Sequence, residues 1–343
     1  MKSGFNYLNP ITDPEYLWGR DSDLTKVFSR INADRPQSVS IVGGHKIGKT
    51  SFINVFYSPA IRKKYLDNPE SYYFIKLKVN EDSEKNVTEF FRTLGSHLKT
   101  IPLSDEIDCD PDDGYGFLLK FIQMNMEQGK KIIFIFDDFH IITSNPDFPL
   151  EFFSFLRSMA NSYNVAYITS SRLELQKLCT TKDIEESPFF NIFSNYNLRL
   201  LSKDHVMKPF SEITGSIEFS GDTEGLLWQN THHHPYVLQI IGSLLLENEA
   251  GSIKRKAQQQ LESFFDMIWN DLGDTEKRAV RILASGKPLP RPMIHIVREL
   301  SKRSILMEEN DKWSFFTPLF KEYIEDGYAK KFGFFKRLLS KRS

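Results

Sequence analysis

At 343 residues, with 40% hydrophobic and 26% charged side chains, the chain can form two or three domains with cores of their own. A net charge of −1 excludes a protein that coats nucleic acid over its whole surface, though it leaves room for local basic patches. No apolar run is long enough for a bilayer span, no signal peptide follows Met1, and Cys109 and Cys179 lack metal-ligand neighbours, so the expectation is a cytoplasmic protein with reduced thiols.

In chain order, the N-terminal extension 1–13 is followed by the most informative stretch, SVSIVGGHKIGKTSFINVFY at 38–57. A β-branched run from Ser38 to Val42 predicts a strand. The spacing Gly43-x-x-x-x-Gly48-Lys49-Thr50 follows, and an apolar helical pattern (Phe52, Ile53, Val55, Phe56) begins at once. Strand, glycine loop and helix N-terminus in this order make a phosphate cradle. Backbone N–H groups of Gly43, Gly44, His45, Lys46, Ile47, Gly48, Lys49, Thr50 and Ser51 can point inward at an anion. The Lys49 ammonium can reach the terminal phosphates of a nucleoside triphosphate, and the Thr50 hydroxyl can hold Mg²⁺.

Tyr73–Val79 reads as a second strand. Val87, Phe90, Phe91 and Leu94, then Phe117, Leu118, Phe121 and Ile122, are spaced as single faces of two helices. KIIFIFDD at 131–138 is a fully apolar run closed by two aspartates, as in a buried parallel strand with its acidic tip at the ligand edge. Asp137 is then a magnesium ligand and Asp138 the group that orients or deprotonates the attacking water, the other reading being two solvated carboxylates at a strand end.

Phe152, Phe153, Leu156 and Met159 form a helical stripe after Pro149. Asn164–Ile168 is a further strand, ending in Thr169-Ser170-Ser171-Arg172. Beside the glycine-loop strand, Ser170 can read the γ-phosphate or the lytic water and Arg172 can supply positive charge; alternatively the strand leaves into a polar turn. Tyr196–Leu201 reads as the last strand of this half. Strands alternating with helices predict an α/β fold, a three-layer parallel sheet of P-loop NTPase type over 14–201. The abundance of Phe, 29 residues, reads as large aromatic cores.

From 202 the pattern is helical. The region 202–272 predicts a helical lid (Leu226, Leu227 and Trp228; Val237 to Leu245; Leu261 to Trp269) that would close over ATP. The region 273–327 has a winged-helix order: helix 274–284, a proline-rich turn, helix 293–303, a hairpin-like pair at 305–307 and 313–316, and a last helix over 319–324. Arg291, His295, Arg298, Lys302 and Arg303 on the second helix suggest DNA, though such modules also simply pack on a nucleotide domain. The tail 328–343 interleaves Phe332, Phe334, Phe335, Leu338 and Leu339 with six cations and no acid. It suits an anionic membrane surface, a nucleic-acid backbone or a protein partner, or it is a solvated terminus. Three consecutive histidines, 232–234, point in different directions on an entering helix and make a poor set of ligands for one metal ion.

Together, the glycine loop, the double-aspartate strand and the Ser-Ser-Arg strand resemble the STAND branch of the P-loop ATPases, close to archaeal-ATPase and origin-recognition-like AAA+ groups. Leu17-Trp-Gly-Arg-Asp-Ser-Asp-Leu24 is similar to the Gly-Arg-x-x-x-Leu box beside the nucleotide base in that family. Thr231-His-His-His-Pro-Tyr-Val-Leu-Gln239 is similar to its Gly-Gly-His-Pro-Tyr-x-Leu-Gln lid segment. The resemblance implies adenine contacts around Trp18, Gly19 and Arg20, a lid contact from His234 or Pro235, and γ-phosphate sensing by Arg172. It departs from the family at Asp138, where many relatives carry Glu, and at His232 and His233, which replace two glycines. The shorter Asp138 implies slow turnover, which suits a switch working through self-assembly or a separate partner. A DNA-associated AAA+-type loader or target-selection factor is the alternative.

Overall fold

A computed structural model describes residues 5, 7–80, 85–99, 101, 107, 113–202, 234–247, 253–309 and 312–327. The chain divides into two compact units. One comprises 10–43 and 49–198; the other comprises the described parts of 1–9, 44–48 and 199–343.

The first unit is built on five parallel strands, β1 (Ser38–Val42), β2 (Tyr72–Lys78), β3 (Lys131–Asp137), β4 (Val165–Ser171) and β5 (Phe193–Asn197), in the order β2-β3-β4-β1-β5. Its helices are α1 (Asp21–Ile31), α2 (Lys49–Tyr57), α3 (Pro59–Tyr65), α4 (Val87–Leu98), α5 (Gly114–Glu127), α6 (His140–Thr143), α7 (Leu150–Ser162) and α8 (Lys182–Glu185). Asn86 starts α4 by accepting the Glu89 N–H at 3.0 Å, and Asp113 starts α5 by accepting the Gly116 N–H at 2.9 Å.

Period-two alternation sends side chains to both faces of the sheet. Ile75, Leu77, Ile132, Phe134, Phe136, Val165 and Tyr167 join one core with α4, α5 and α7. Phe74, from an intervening position, instead meets Phe56 of α2 edge-on, and Phe56 stacks on Phe28 of α1. Eleven phenylalanines sit in the first core, linked by edge-to-face contacts such as Phe90 on Phe152 at 5.1 Å. Each contributes about 1.5–3 kcal/mol by burial.

Two strand limits differ from the sequence reading. β4 continues through Ser171, because Thr169, Ser170 and Ser171 pair in register with Ser40, Ile41 and Val42. β5 lies earlier than Tyr196–Leu201; it is an edge strand, only partly buried, so its apolar alternation is weak.

The second unit contains α9 (Pro235–Leu246), α10 (Ile253–Asn270), α11 (Asp274–Ala284), α12 (Ile294–Lys302), the antiparallel pair β6 (Leu306–Glu309) and β7 (Lys312–Phe315), and a helix, α13, over 318–327. Phe264, Phe265, Phe316 and Phe320 form its aromatic centre, and His234 packs there, 4.9 Å from the Phe316 ring. Leu226, Leu227, Trp228, His232, His233, Cys109 and the basic tail lie outside the described residues. Among the described residues, no helix is long and apolar enough to cross a membrane.

Candidate functional site

β1 is buried along its whole length and sits between β4 and β5, so the glycine loop leaves the sheet from an interior strand. The chain reaches α2 by turning through left-handed backbone at Lys46 (φ 55°) and Gly48 (φ 98°). The second value strains any residue with a Cβ, which explains the glycine. A loop of this kind followed by a helix start turns successive N–H groups to one side. Ile47 is fully buried and anchors the loop. The Ser51 hydroxyl accepts the Ile11 N–H at 3.0 Å, and Asn54 donates to the Ile11 carbonyl at 3.2 Å, tying the segment before α1 to α2.

Residues 44–48 also carry contacts within the second unit. His45 Nε2 lies 3.1 Å from Asp271 Oδ2. Arg303 donates to the same Asp271 oxygen and to Glu276 Oε1, each at 3.0 Å. The Lys46 ammonium lies 5.3 Å from the centre of the Tyr236 ring. Gly44 abuts the Arg303 carbonyl so closely that a Cβ there would stand 2.1 Å from the oxygen.

In the first unit, the Lys49 ammonium is buried and donates to the Gly43 carbonyl at 2.8 Å. Burial pulls its pKa down to about 8 against the opposing pull of Asp138 and Asp137, with Arg172 adding to the fall. Asp137 ends β3 and is 1% exposed. Ser170 donates to its Oδ1 at 2.5 Å, and the Asp138 N–H donates to the same serine oxygen at 2.8 Å. Asp138 follows in left-handed backbone, φ 61°, a conformation aspartate tolerates better than most residues. Burial, then Asp137, push its carboxyl above the ordinary carboxylate range, opposed by Lys49, Lys78 and Arg172. Lys49, Asp137, Asp138, Ser170 and Arg172 therefore form one electrostatic cluster, and Thr50 follows Lys49 in the first turn of α2. The sheet order inserts β4 between β1 and β3, so Ser170 stands on the strand that bridges them.

The Trp18-Gly19-Arg20 segment is fixed locally. Gly19 takes φ 67°, and Trp18 is buried. The Arg20 guanidinium, also buried, lies 3.1 Å from Asp23 Oδ2, while the Tyr196 hydroxyl donates to the other oxygen of Asp23. This chain joins the start of α1 to β5. Pro235 occupies the first turn of α9, where its missing N–H is harmless, and it falls in the same unit as loop residues 44–48.

The sequence reading misses Lys78 and Asp271 and puts Arg303 on a basic helix face. Lys78 pairs in register with Asp137 at the same end of the sheet and bears on Asp138; its position as the last residue of β2 was the available signal. Asp271 and Arg303 lie more than 220 residues from His45, and no local pattern links them to it.

The donor set suits a hard divalent cation. Asp137 Oδ2 is buried with no hydrogen-bond partner among the described residues, a costly arrangement for a lone carboxylate oxygen. Oxygen donors such as this one and the Thr50 hydroxyl match magnesium, which takes few protein ligands and completes its shell with phosphate and water. Among the described residues, no group of three or more His, Cys, Asp or Glu could hold a metal ion by itself.

Compared with curated proteins, the sequence matches none. Among solved structures, the Walker-type ATPase PABY2304 of Pyrococcus abyssi is similar with a TM-score of 0.60 at 13% identity, over 93% of this chain and 99% of that one. The ORC2 protein of Aeropyrum pernix, in ADPNP–ADP complexes, gives 0.56 at 11% identity, over 96% of this chain and 98% of that one. At such identities the likeness is one of fold. Residues 33–265, well over half of the chain, match the family Novel STAND NTPase 2. With its five-stranded parallel sheet and glycine loop, the chain belongs to that family and is a STAND-type P-loop NTPase.

Proposed function

We propose that the protein binds ATP with magnesium on the glycine loop, hydrolyses it slowly, and works as a nucleotide-dependent switch. The observation that carries the first part is the cluster of Lys49, Asp137, Asp138 and Arg172 around the start of α2. In this reading, the Lys49 ammonium exchanges the Gly43 carbonyl for the β- and γ-phosphates. The Thr50 hydroxyl and Asp137 Oδ2 would hold magnesium, which when bound would supply Lewis-acid polarisation of phosphate oxygens. Asp138 takes the proton from water as the water oxygen bonds to the γ-phosphorus and the bond to ADP breaks. Arg172 balances charge on the transferring group. Trp18 and the backbone around Gly19 line the adenine, with Arg20 holding that segment through Asp23.

Support for the switch comes from the loop itself. Residues 44–48 group with the C-terminal helices, and His45 pairs with Asp271. A phosphate seated on this loop therefore acts directly on the unit that contains α9–α13. We read 273–327 as a winged helix within that unit, and the output as self-assembly or engagement of a protein partner in a signalling or defence-type system.

Calorimetry tests the nucleotide site. A bound triphosphate favours the charged form of Lys49, so titrating ATP at pH 8 in buffers of different ionisation enthalpy should show net proton uptake. Lys49→Ala should weaken ATP by about 100-fold, the loss of charge-assisted bonds to phosphate. Unchanged affinity in that variant would refute the loop assignment.

A further inference from the structure

We infer that Ser170 is a positioning residue that presents Asp137 to a divalent cation and holds the turn at Asp138, in place of reading the γ-phosphate. The inference rests on the magnesium–nucleotide site proposed above and gives this serine a different task within it.

A serine hydroxyl has one proton and two lone pairs. The Ser170 proton goes to Asp137 Oδ1 at 2.5 Å, a charge-assisted bond to a carboxylate oxygen. One lone pair receives the Asp138 N–H at 2.8 Å. The Ser170 carbonyl receives the Phe139 N–H at 3.0 Å. Three consecutive residues at the end of β3 are thus bonded to one residue of β4. Ser170 is fully buried, so water offers its hydroxyl no replacement partner.

Two consequences follow from that bonding. Asp137 has one oxygen occupied and its other oxygen buried without a partner, so the carboxylate is fixed in orientation with a single acceptor left to give. A metal at Oδ2 satisfies it. Asp138 is held just past the strand in the left-handed conformation, which fixes where its side chain leaves the chain. A phosphate oxygen, by contrast, needs a donor. Ser170 can supply one only by abandoning a buried carboxylate, whose Oδ1 would then be left without its donor. Arg172, two residues on, has the charge for that task.

The test compares Ser170→Thr with Ser170→Val, side chains of one shape that differ by a hydroxyl, using fluorescent mant-ATP and mant-ADP in EDTA and in magnesium. In the wild type, magnesium should tighten mant-ATP. Ser170→Val should lose that magnesium-dependent gain by about tenfold while its affinity in EDTA stays within about twofold. Ser170→Thr should restore the gain. Manganese binding to the nucleotide complexes, followed by electron paramagnetic resonance, should weaken in parallel. Ser170→Ala, the smaller change, provides the same comparison if valine disturbs folding by circular dichroism.

Should Ser170→Val keep the magnesium gain and instead lose the preference for mant-ATP over mant-ADP in EDTA, the serine reads the γ-phosphate and the inference falls. It falls equally if neither quantity moves. A wild-type protein that binds neither nucleotide would overturn the proposed function first, and this inference with it.

Discussion

Asp138 concentrates the chemistry of a single residue. Its carboxyl is pushed up first by burial and then by Asp137, while Lys49, Lys78 and Arg172 pull it down. A base with a raised pKa is better matched to neutral water than an ordinary aspartate. With Asp138 as the general base proposed above, the sign is direct: the residue would have to be ionised to accept a proton, so turnover would fall as pH drops through its pKa. The acid limb of the kcat/KM profile should lie above about 4, the ordinary value for aspartate. Lys78→Met removes one of the opposing charges and should move that limb to higher pH. Asp138→Asn should retain ATP within a few-fold yet lose at least about 100-fold in turnover, the usual scale for a general base. Hydrolysis at the wild-type rate in Asp138→Asn would assign the water to another group.

At the scale of elements, legibility tracked the range of the physics. β1, the loop and the start of α2 could be read because their signals are local: β-branched residues, a glycine forced by φ 98°, and an apolar stripe. The end of β4 could not, since Thr169, Ser170 and Ser171 look like a turn yet are wholly buried and paired with β1. Arg303 misled in the same way. Spacing puts it on the basic face of α12, but its side chain turns inward to Asp271 and Glu276, which stand 32 and 27 residues earlier. That triad, with His45 on Asp271, ties the ends of α10, α11 and α12 to loop residues 44–48. Asp271→Asn removes the charge opposite a nearly buried guanidinium, and should cost about 1–3 kcal/mol in urea unfolding. An unshifted midpoint would mean that the His45–Asp271–Arg303 chain contributes packing alone.

For the whole molecule, charge bears on which output a nucleotide-dependent switch of the kind proposed would control. With net charge −1, duplex binding would have to rely on a local face. α12 and the turn before it expose Arg291, His295, Arg298 and Lys302, and Lys302 is already 2.7 Å from Glu299. With Arg303 turned inward, this face offers three permanent cations. Three phosphate contacts give a salt slope near 2.7, or about a 40-fold loss of affinity between 50 and 200 mM salt. Such binding is non-specific in strength and fades at physiological salt. A switch that acts through assembly predicts a different pair of results. Sedimentation velocity should show a heavier species with ATP and magnesium than with ADP, and fluorescence anisotropy with labelled duplex should show no binding at about 150 mM salt. Tight, ATP-dependent binding to duplex at that salt, without any change in sedimentation, would transfer the region 273–327 from assembly to DNA and favour a loader or target-selection factor over a switch.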